Sequence, residues 1–229
     1  MKTLIIYFYE KILLRKPAAV LMYHSVAENT KFFTVNLADF EWQMSYLHKN
    51  NYNILSLKQL IELMKTKYKI PQKTLVITFD DGYEDNYTTA FPILKKHNFP
   101  ATIFLTTGRL GSDNYMNWDE IREMHNSGLI DFEPHTMNHP KLSQISTEVA
   151  EREMKESKLE IESKLSKKCE FFAYPFGNYD EKSLKISQNL FKATLSVKRG
   201  FVGQSDNVYE LKRNSIDSLT TPLLFKLKT

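Results

Sequence analysis

Carboxylate and imidazole side chains occur in the sequence at spacings that suit catalysis, beginning with an adjacent acidic pair. Asp80 and Asp81 directly follow the apolar run of residues 75–79. Two carboxylates beside a buried strand repel each other unless a cation or a proton lies between them. One aspartate is then a candidate metal ligand and the other a candidate proton acceptor. The alternative is an ordinary loop in which one of them caps the next helix, because Asp-Asp-Gly also occurs in turns.

A pair of histidines four residues apart is the second such place. The spacing of His135 and His139 can put both imidazoles on one face of a single helical turn. Pro140 disfavours the helical conformation of His139, so we expect a loop or one turn here. With Asp81 the histidines make a His-His-Asp set that leaves positions open for water and substrate, as a catalytic divalent metal requires.

His24 is a third candidate, because it ends the apolar run of residues 20–23. A histidine with only a structural role would need a buried hydrogen-bond partner there, so structural and catalytic roles both stay open. The single cysteine, Cys169, excludes an internal disulfide and a cysteine-rich zinc cluster. Any metal must therefore depend on histidine and carboxylate. The chain has neither a G-x-G-x-x-G motif nor a P-loop, so nothing supports nucleotide binding.

The elements that must position these residues are short strands alternating with helices, a pattern that predicts α/β units on a mostly parallel sheet. The predicted strands are residues 19–24, 52–55, 74–79, 101–106, 129–133, 170–174 and 193–197, with 209–213 as a further candidate. Seven or eight strands in this length predict a distorted (β/α) barrel, with an open doubly wound sheet as the alternative. His24, Asp80 and His135 all stand at carboxyl ends of strands, which meet at one rim of a barrel.

Two of the predicted helices carry contrasting patterns. Ser56 followed by Gln59 is a capping-box pattern, which predicts a helix over residues 57–65. The segment 147–167 is highly charged and only weakly periodic, which predicts an exposed outer helix.

Composition limits the class of protein. The 229 residues include 31 Lys and Arg against 27 Asp and Glu, a net charge of +4, and 42% of the residues are hydrophobic. The excess of positive charge is too small and too dispersed for a dedicated nucleic-acid binder, so we expect no nucleic-acid partner. The length and apolar content are typical of one globular domain, which we place at residues 18–229.

Residues 1–17 are predicted to be a separate N-terminal amphipathic segment. Its apolar residues recur at helical spacing beside basic ones, which favours either a helix on an anionic membrane surface or one that caps the core. Its apolar run is too short to cross a bilayer and lacks a signal-peptide cleavage pattern. We therefore expect peripheral membrane contact through residues 1–16, and a cytoplasmic or membrane-peripheral location rather than secretion.

Three motifs in this sequence resemble the signatures of the polysaccharide deacetylases, carbohydrate esterase family 4, also called the NodB-homology domain. They are Thr78-Phe79-Asp80-Asp81-Gly82, His135-Thr136-Met137-Asn138-His139 and Phe172-Ala173-Tyr174-Pro175-Phe176-Gly177. The resemblance runs from about residue 18 to residue 213, and residues 21–25 are similar to the branch of bacterial poly-N-acetylglucosamine deacetylases. It implies a distorted (β/α) barrel of about seven parallel strands. It also implies metal-dependent hydrolysis of the acetamide of N-acetylhexosamine units in a carbohydrate substrate.

The resemblance assigns roles to the residues singled out above. Asp80 becomes the general base, and Asp81, His135 and His139 become ligands of a divalent metal, usually zinc, with nickel or cobalt tolerated. His24 becomes the acid that protonates the departing amine. Two alternatives stay open, namely a catalytically inactive carbohydrate-binding barrel and a metal-dependent esterase of O-acetyl sugars.

The third motif implies an oxyanion and substrate-binding segment. The backbone N–H of Tyr174 is the implied oxyanion donor, with Pro175 and Gly177 as its substrate-binding neighbours. The family commonly carries an arginine in this motif that orients the base, but Ala173 precedes Tyr174 here and the segment contains no arginine. We hypothesise that Arg213, at the end of the further candidate strand, takes that position.

Overall fold

The computed structural model describes residues 18–29 and 31–229, so the predicted segment of residues 1–17 lies outside the described residues. The described part of the chain forms ten strands and seven α-helices. The strands are β1 Ala19–Tyr23, β2 Ser25–Val26, β3 Thr34–Val35, β4 Asn53–Ile54, β5 Thr74–Asp81, β6 Ala101–Leu105, β7 Ile130–Pro134, β8 Phe171–Ala173, β9 Ala193–Leu195 and β10 Asn214–Ser215. The helices are α1 Leu37–Lys49, α2 Leu57–Lys65, α3 Phe91–His97, α4 Trp118–Asn126, α5 Thr147–Leu165, α6 Glu181–Leu190 and α7 Pro222–Lys228.

The strands are parallel and form a distorted (β/α) barrel, which confirms the predicted fold. The main sheet runs β10-β1-β5-β6-β7, and β4 pairs with the start of β5. A second parallel pair, β8-β9, continues the wall, and a bridge between Leu195 and Leu211 leads back toward β10. Because the strands share one direction, their carboxyl ends meet at one rim.

Strand β5, which carries the acidic pair at its carboxyl end, lies in the core. All eight residues of β5 are buried, as expected for a parallel strand covered on both faces. Helix α2 begins with the predicted capping box, since Ser56 and Gln59 each accept a hydrogen bond from the other's backbone N–H. Its buried residues pack against the same core. Among the described residues, no helix combines the length and apolarity that crossing a bilayer requires.

A buried carboxylate joins the two parts of the barrel wall between β7 and β8. Glu133 accepts hydrogen bonds from the backbone N–H groups of Glu170 and Phe171, both at 2.9 Å. Lys167 forms an ion pair with Glu133 at 3.1 Å and also contacts Asp131. A side chain thus supplies, at the start of β8, the acceptor that a neighbouring strand's carbonyls would otherwise supply.

Two predictions about individual elements are wrong. The further candidate strand at residues 209–213 is instead a 3₁₀ turn, Val208–Glu210, followed by one bridge residue and then β10. The Asn207 side chain accepts the N–H of Tyr209, which favours a turn over extended pairing. The helix at residues 147–167 forms as α5, but it is not merely exposed, because one side of it is buried against the barrel.

The join between β7 and β8 can be tested with Glu133→Ala. The substitution leaves two buried N–H groups without their acceptor and removes one of the two carboxylates that pair with Lys167. We expect the free energy of unfolding to fall by about 3–5 kcal/mol, as when one partner of a buried ion pair is removed. Urea denaturation measures it. The matched control is Glu151→Ala on the exposed side of α5, with an expected change within about 0.5 kcal/mol. Equal losses in both variants would contradict this account of the join.

Candidate active site

Three potential metal ligands come together at the carboxyl-end rim. One ligand atom from each of Asp81, His135 and His139 lies within 4.8 Å of the other two. The Nε2 atoms of the two histidines are 3.2 Å apart, and Asp81 Oδ1 lies 3.3 Å from His139 Nε2 and 3.8 Å from His135 Nε2. Asp81 ends β5, while the histidines lie in the loop after β7. The structure therefore brings together the three residues that the sequence grouped.

The chemistry of this cluster fits a divalent cation. His135 Nδ1 is 2.7 Å from the carbonyl of Ala173, which can only accept, so the proton is on Nδ1 and the Nε2 lone pair is free. Burial lowers the pKa of both histidines, and together with the neighbouring imidazole it brings the pKa of His139 to about 4. Asp81 Oδ1 is buried and has no hydrogen-bond partner within residues 18–29 and 31–229. Neutral imidazoles beside an unpartnered carboxylate oxygen are a ligand set for a divalent metal.

The backbone adopts uncommon conformations to place these ligands. Asp81, Thr136 and His139 have φ angles of 76°, 68° and 58°, in the left-handed region. The Thr136 hydroxyl accepts the His139 N–H at 3.0 Å, which closes the turn between the two histidines. Such conformations cost free energy and concentrate at functional sites. The prediction of a loop or one turn before Pro140 is confirmed, because His139 lies in a single turn and not in a helix.

Asp80, which precedes Asp81 in β5, is held by Arg213. The contact is bidentate, with Nη1 2.7 Å from Asp80 Oδ1 and Nη2 2.8 Å from Oδ2. Arg213 is fully buried, and its Nε donates to the Ser196 carbonyl at 3.0 Å. Burial alone would raise the pKa of Asp80, but the charge and hydrogen bonds of Arg213 outweigh it and hold the pKa well below its ordinary value. Asp80 is therefore a buried carboxylate that stays ionised.

His24 directly follows β1 on the same rim and is half-buried. Its carbonyl accepts a hydrogen bond from Asn86 Nδ2 at 2.7 Å, which fixes the backbone at this point. Its Nδ1 is buried and has no hydrogen-bond partner among the described residues. A histidine kept only for structure would use that nitrogen. The imidazole also contacts the ring of Phe33, with centroids 5.8 Å apart.

The prediction for the Tyr174 N–H is wrong. That N–H donates to the Leu195 carbonyl at 3.1 Å, so it belongs to the barrel wall and does not face the rim. Gly177 is also engaged, because its N–H donates to the Tyr174 carbonyl at 2.8 Å. A Cβ on Gly177 would lie 2.3 Å from a Val197 side-chain carbon, so glycine is required here by close packing. Pro175, which has no N–H, is buried and starts the turn.

Phe176 is the rim residue that the sequence patterns undervalued. It is 57% exposed, and its ring centroid lies 4.4 Å from that of His139. Its φ angle is 58°, and the hydrogen bonds of its turn are donated by Gly177 and Asn178, so the Phe176 N–H stands outside them. The signal in the sequence was the preceding proline, which starts a 3₁₀ turn and leaves the next N–H without an acceptor in that turn.

A barrel with a candidate metal cluster at the carboxyl ends of its strands defines the class of metal-dependent barrel hydrolases. The family model of the polysaccharide deacetylases matches residues 67–192, more than half of the chain. The chain belongs to the polysaccharide deacetylase family. The matched segment contains the acidic pair and the histidine loop, whereas His24 and Arg213 lie outside it.

Individual relatives agree with this assignment over most of the chain. The Bacillus subtilis (strain 168) protein YxkH, whose name assigns it to the polysaccharide deacetylases, is 34% identical over 202 residues. These residues cover 86% of this chain and 71% of YxkH. The poly-β-1,6-N-acetyl-D-glucosamine N-deacetylase of Staphylococcus aureus (strain MSSA476) is 30% identical over 205 residues, which cover 83% of this chain and 70% of that protein. The structure of Streptococcus pyogenes deacetylase PplD in complex with acetate superposes with a TM-score of 0.85 at 29% identity, covering 92% and 97% of the two chains.

The ion pair of Asp80 can be tested by Arg213→Met, with Lys212→Met as control. Removing the guanidinium leaves a buried carboxylate without its cation, which we expect to cost about 3–5 kcal/mol of unfolding free energy at pH 7. Lys212 is 41% exposed and its loss should cost at most about 1 kcal/mol. Urea denaturation at pH 7, 5.5 and 4 measures both variants.

The pH dependence has a defined sign. In the wild type the lowered pKa of Asp80 stabilises the fold above the ordinary aspartate pKa, and this stabilisation is lost only as the pH falls toward the folded-state value. In Arg213→Met, burial is no longer opposed by the guanidinium and raises the pKa of Asp80, so the penalty is relieved as the pH falls. The stability difference between wild type and Arg213→Met should therefore narrow from pH 7 to pH 4. A difference that stays constant would contradict the role of Arg213.

Proposed function

We propose that this protein is a zinc-dependent N-deacetylase that hydrolyses the acetamide of N-acetylglucosamine units in a poly- or oligosaccharide and releases acetate. The observation that carries the proposal is the grouping of Asp81, His135 and His139 within 4.8 Å beside an ionised Asp80. The cluster supplies a metal site and a proton acceptor at one end of the barrel. An amide hydrolase needs both.

Two relatives support the choice of substrate. By its name, the S. aureus protein removes acetyl groups from poly-β-1,6-N-acetyl-D-glucosamine, and it shares 30% identity over 83% of this chain. PplD was solved with acetate, which is the acid released when an acetamide is hydrolysed. We infer N-acetylated hexosamine as the substrate class of this chain on that basis.

The metal is proposed to be zinc, because two imidazole nitrogens and one carboxylate oxygen are a common ligand set of catalytic zinc sites. Asp81, His135 and His139 would hold it. A bound divalent cation would polarise the acetamide carbonyl and lower the pKa of a nearby water molecule. The His135 Nδ1 bond to the Ala173 carbonyl keeps this imidazole in the tautomer and orientation that a ligand needs.

Asp80 is the proposed general base. It takes a proton from the water molecule that attacks the acetamide carbon, while the carbon–nitrogen bond breaks in the following step. Arg213 holds both carboxylate oxygens and so fixes the plane of the base and keeps it ionised. The guanidinium is also held by Ser196, so the base is oriented by a group that is itself fixed.

His24 is the proposed acid, which gives a proton to the amine nitrogen as the carbon–nitrogen bond breaks and the amine departs. It lies at the end of β1 on the same rim, and its charge contributes to the lowered pKa of Asp80, so the two groups are close enough to interact. In place of Tyr174, we propose the backbone N–H of Phe176 as the donor to the oxyanion. That N–H stands outside the hydrogen bonds of its turn, and the Phe176 ring contacts the ligand His139.

We further propose that residues 1–16 bring the enzyme to an anionic membrane surface, with the cytoplasm or that surface as its place of action. The support is the sequence pattern, in which apolar residues at helical spacing stand beside basic ones. They are Leu4, Ile5, Phe8 and Ile12 among the apolar residues and Lys2, Lys11, Arg15 and Lys16 among the basic ones.

Acetate release from N-acetylglucosamine oligomers tests the proposed activity. We expect wild-type activity to be abolished by a chelator and restored by zinc. Asp80→Asn should lower kcat/KM by about 10²–10⁴-fold while zinc binding persists, because the base is lost and the three ligands are not. His48→Gln, at an exposed histidine away from the rim, is the control and should keep full activity.

Three outcomes would contradict the proposal in different ways. Zinc binding without acetate release from any acetylated sugar would indicate an inactive carbohydrate-binding barrel. Faster release from O-acetylated than from N-acetylated sugars would indicate an esterase. Acetate release that survives complete metal removal would refute the metal-dependent mechanism.

Membrane contact is tested by sedimentation of the full chain with vesicles that contain phosphatidylglycerol. Phe8→Asp removes one apolar anchor and adds a negative charge, so we expect vesicle affinity to fall by at least about tenfold. Leu159→Asp introduces the same change at an exposed leucine of α5 and should bind vesicles like the wild type. Equal binding by both variants would refute the contact through residues 1–16.

A further inference from the structure

We infer that Glu153 of helix α5 is a positioning residue for the metal-binding loop, because its carboxylate holds the backbone between the two histidine ligands. This inference rests on the proposed function, which makes His135 and His139 metal ligands. Glu153 lies outside the three motifs, and it comes from a segment that the sequence indicated to be a charged outer helix. In the structure it is only 7% exposed.

Among the described residues, the Glu153 carboxylate forms hydrogen bonds only with the loop. Oε2 accepts the backbone N–H groups of Met137 and Asn138 at 2.9 and 2.8 Å, and Oε1 accepts Asn138 Nδ2 at 2.7 Å. No lysine or arginine within residues 18–29 and 31–229 forms an ion pair with Glu153 at a distance of 4 Å or less. Within the part of the chain that the structure describes, the partners of this carboxylate are therefore N–H groups of the loop.

The same loop is fixed from its opposite side by the turn after β6. The Gly108 N–H donates to the Met137 carbonyl at 2.9 Å, and the Thr107 N–H donates to the Thr136 carbonyl at 3.2 Å. A Cβ on Gly108 would lie 2.7 Å from the Met137 carbonyl oxygen, so the two segments approach as closely as their backbones permit. The peptide groups between the histidines are thus held on both sides. On one side their carbonyls accept hydrogen bonds from the turn after β6, and on the other side their N–H groups donate hydrogen bonds to Glu153.

The loop needs this support because its own conformation is unfavourable. Thr136 and His139 both adopt left-handed φ angles, which residues other than glycine rarely occupy. A helix would keep histidines at this spacing on one face without help, but here the segment is a single turn. The three hydrogen bonds that the loop donates to the Glu153 carboxylate favour the turn that sets the Nε2 atoms 3.2 Å apart.

Helix α5 is rigid enough to hold such a residue in place. Ala150, Met154 and Ile161 bury the same side of the helix in the protein core, so the Glu153 backbone has little freedom. Packed helices hold functional groups more accurately than loops do, and partners of metal ligands commonly set their orientation.

Glu153→Gln separates hydrogen bonding from packing, because glutamine has nearly the same shape. The amide presents two N–H donors on one side, where the wild type presents an acceptor. With the Asn138 amide in the orientation that the structure shows, either that amide or the two backbone N–H groups then face another donor. We expect the dissociation constant for zinc to rise by about 10–100-fold, the range typical for partners of metal ligands.

The measurement is competition for zinc between the full-length protein and a chromophoric chelator, at a temperature where circular dichroism shows every variant to be folded. Glu156→Gln makes the same substitution one turn along α5 at an exposed position, and its zinc affinity should equal that of the wild type. Equal affinities of Glu153→Gln and Glu156→Gln would overturn the inference.

A rescue variant distinguishes positioning from a general structural role. Asn138→Asp alone sets two carboxylates against each other and should also weaken zinc binding. In Glu153→Gln with Asn138→Asp the amide and the carboxylate have changed places, so the introduced amide donates to the introduced carboxylate and accepts from the backbone. We expect zinc affinity to return to within about threefold of the wild type, a coupling that independent sites do not show. A double variant as weak as Glu153→Gln would overturn the inference.

The inference and the proposed function fail in different ways. A wild type that binds zinc and shows the expected series of affinities but releases no acetate would refute the activity and support the role of Glu153. A wild type that releases acetate while Glu153→Gln binds zinc normally would refute the role of Glu153 and support the activity. A wild type without zinc affinity would overturn both.

Discussion

The buried ion pair between Asp80 and Arg213 is the interaction on which the rest of the structure depends. A carboxylate with almost no exposure to solvent is tolerated in a barrel core only if its charge is matched, and the bidentate guanidinium does so at 2.7 and 2.8 Å. The pair joins β5 to the chain just before β10, across the interior of the barrel. It also divides the acidic pair, since Asp80 is committed to Arg213 and Asp81 is left to face the two histidines.

Much of this site followed from the sequence because parallel strands impose one simple rule. His24, Asp80 and His135 could be grouped without any structure, since each follows an apolar run and the carboxyl ends of such strands converge. The ligand set of Asp81 with the two histidines depended only on residue chemistry and spacing. Glu133, in contrast, gave no signal, because a carboxylate within a predicted strand carries no sign that it accepts hydrogen bonds from a neighbouring one.

The sequence could not indicate in which direction an individual backbone N–H points, nor which face of a helix packs against the barrel. The Tyr174 N–H was assigned to substrate, but pairing between the chain after β8 and the end of β9 uses it, and this pairing is a tertiary property. The strand at residues 209–213 failed because an asparagine cap outweighed an apolar pattern. Glu153 was hidden for a related reason, since α5 has a charged sequence throughout and only the docked structure shows which of its charges is enclosed.

The separation of Asp80 and Arg213 along the chain, 133 residues, has a kinetic consequence. Contacts of such high contact order require closure of a very large loop, and they form late compared with local helices and hairpin-sized units. Until the segment around Arg213 docks, a carboxylate in the barrel interior is unfavourable, so early compact states should leave the end of β5 hydrated. The Asp80–Arg213 ion pair would then be completed only in the final stage of folding, so partly folded chains would lack the oriented carboxylate.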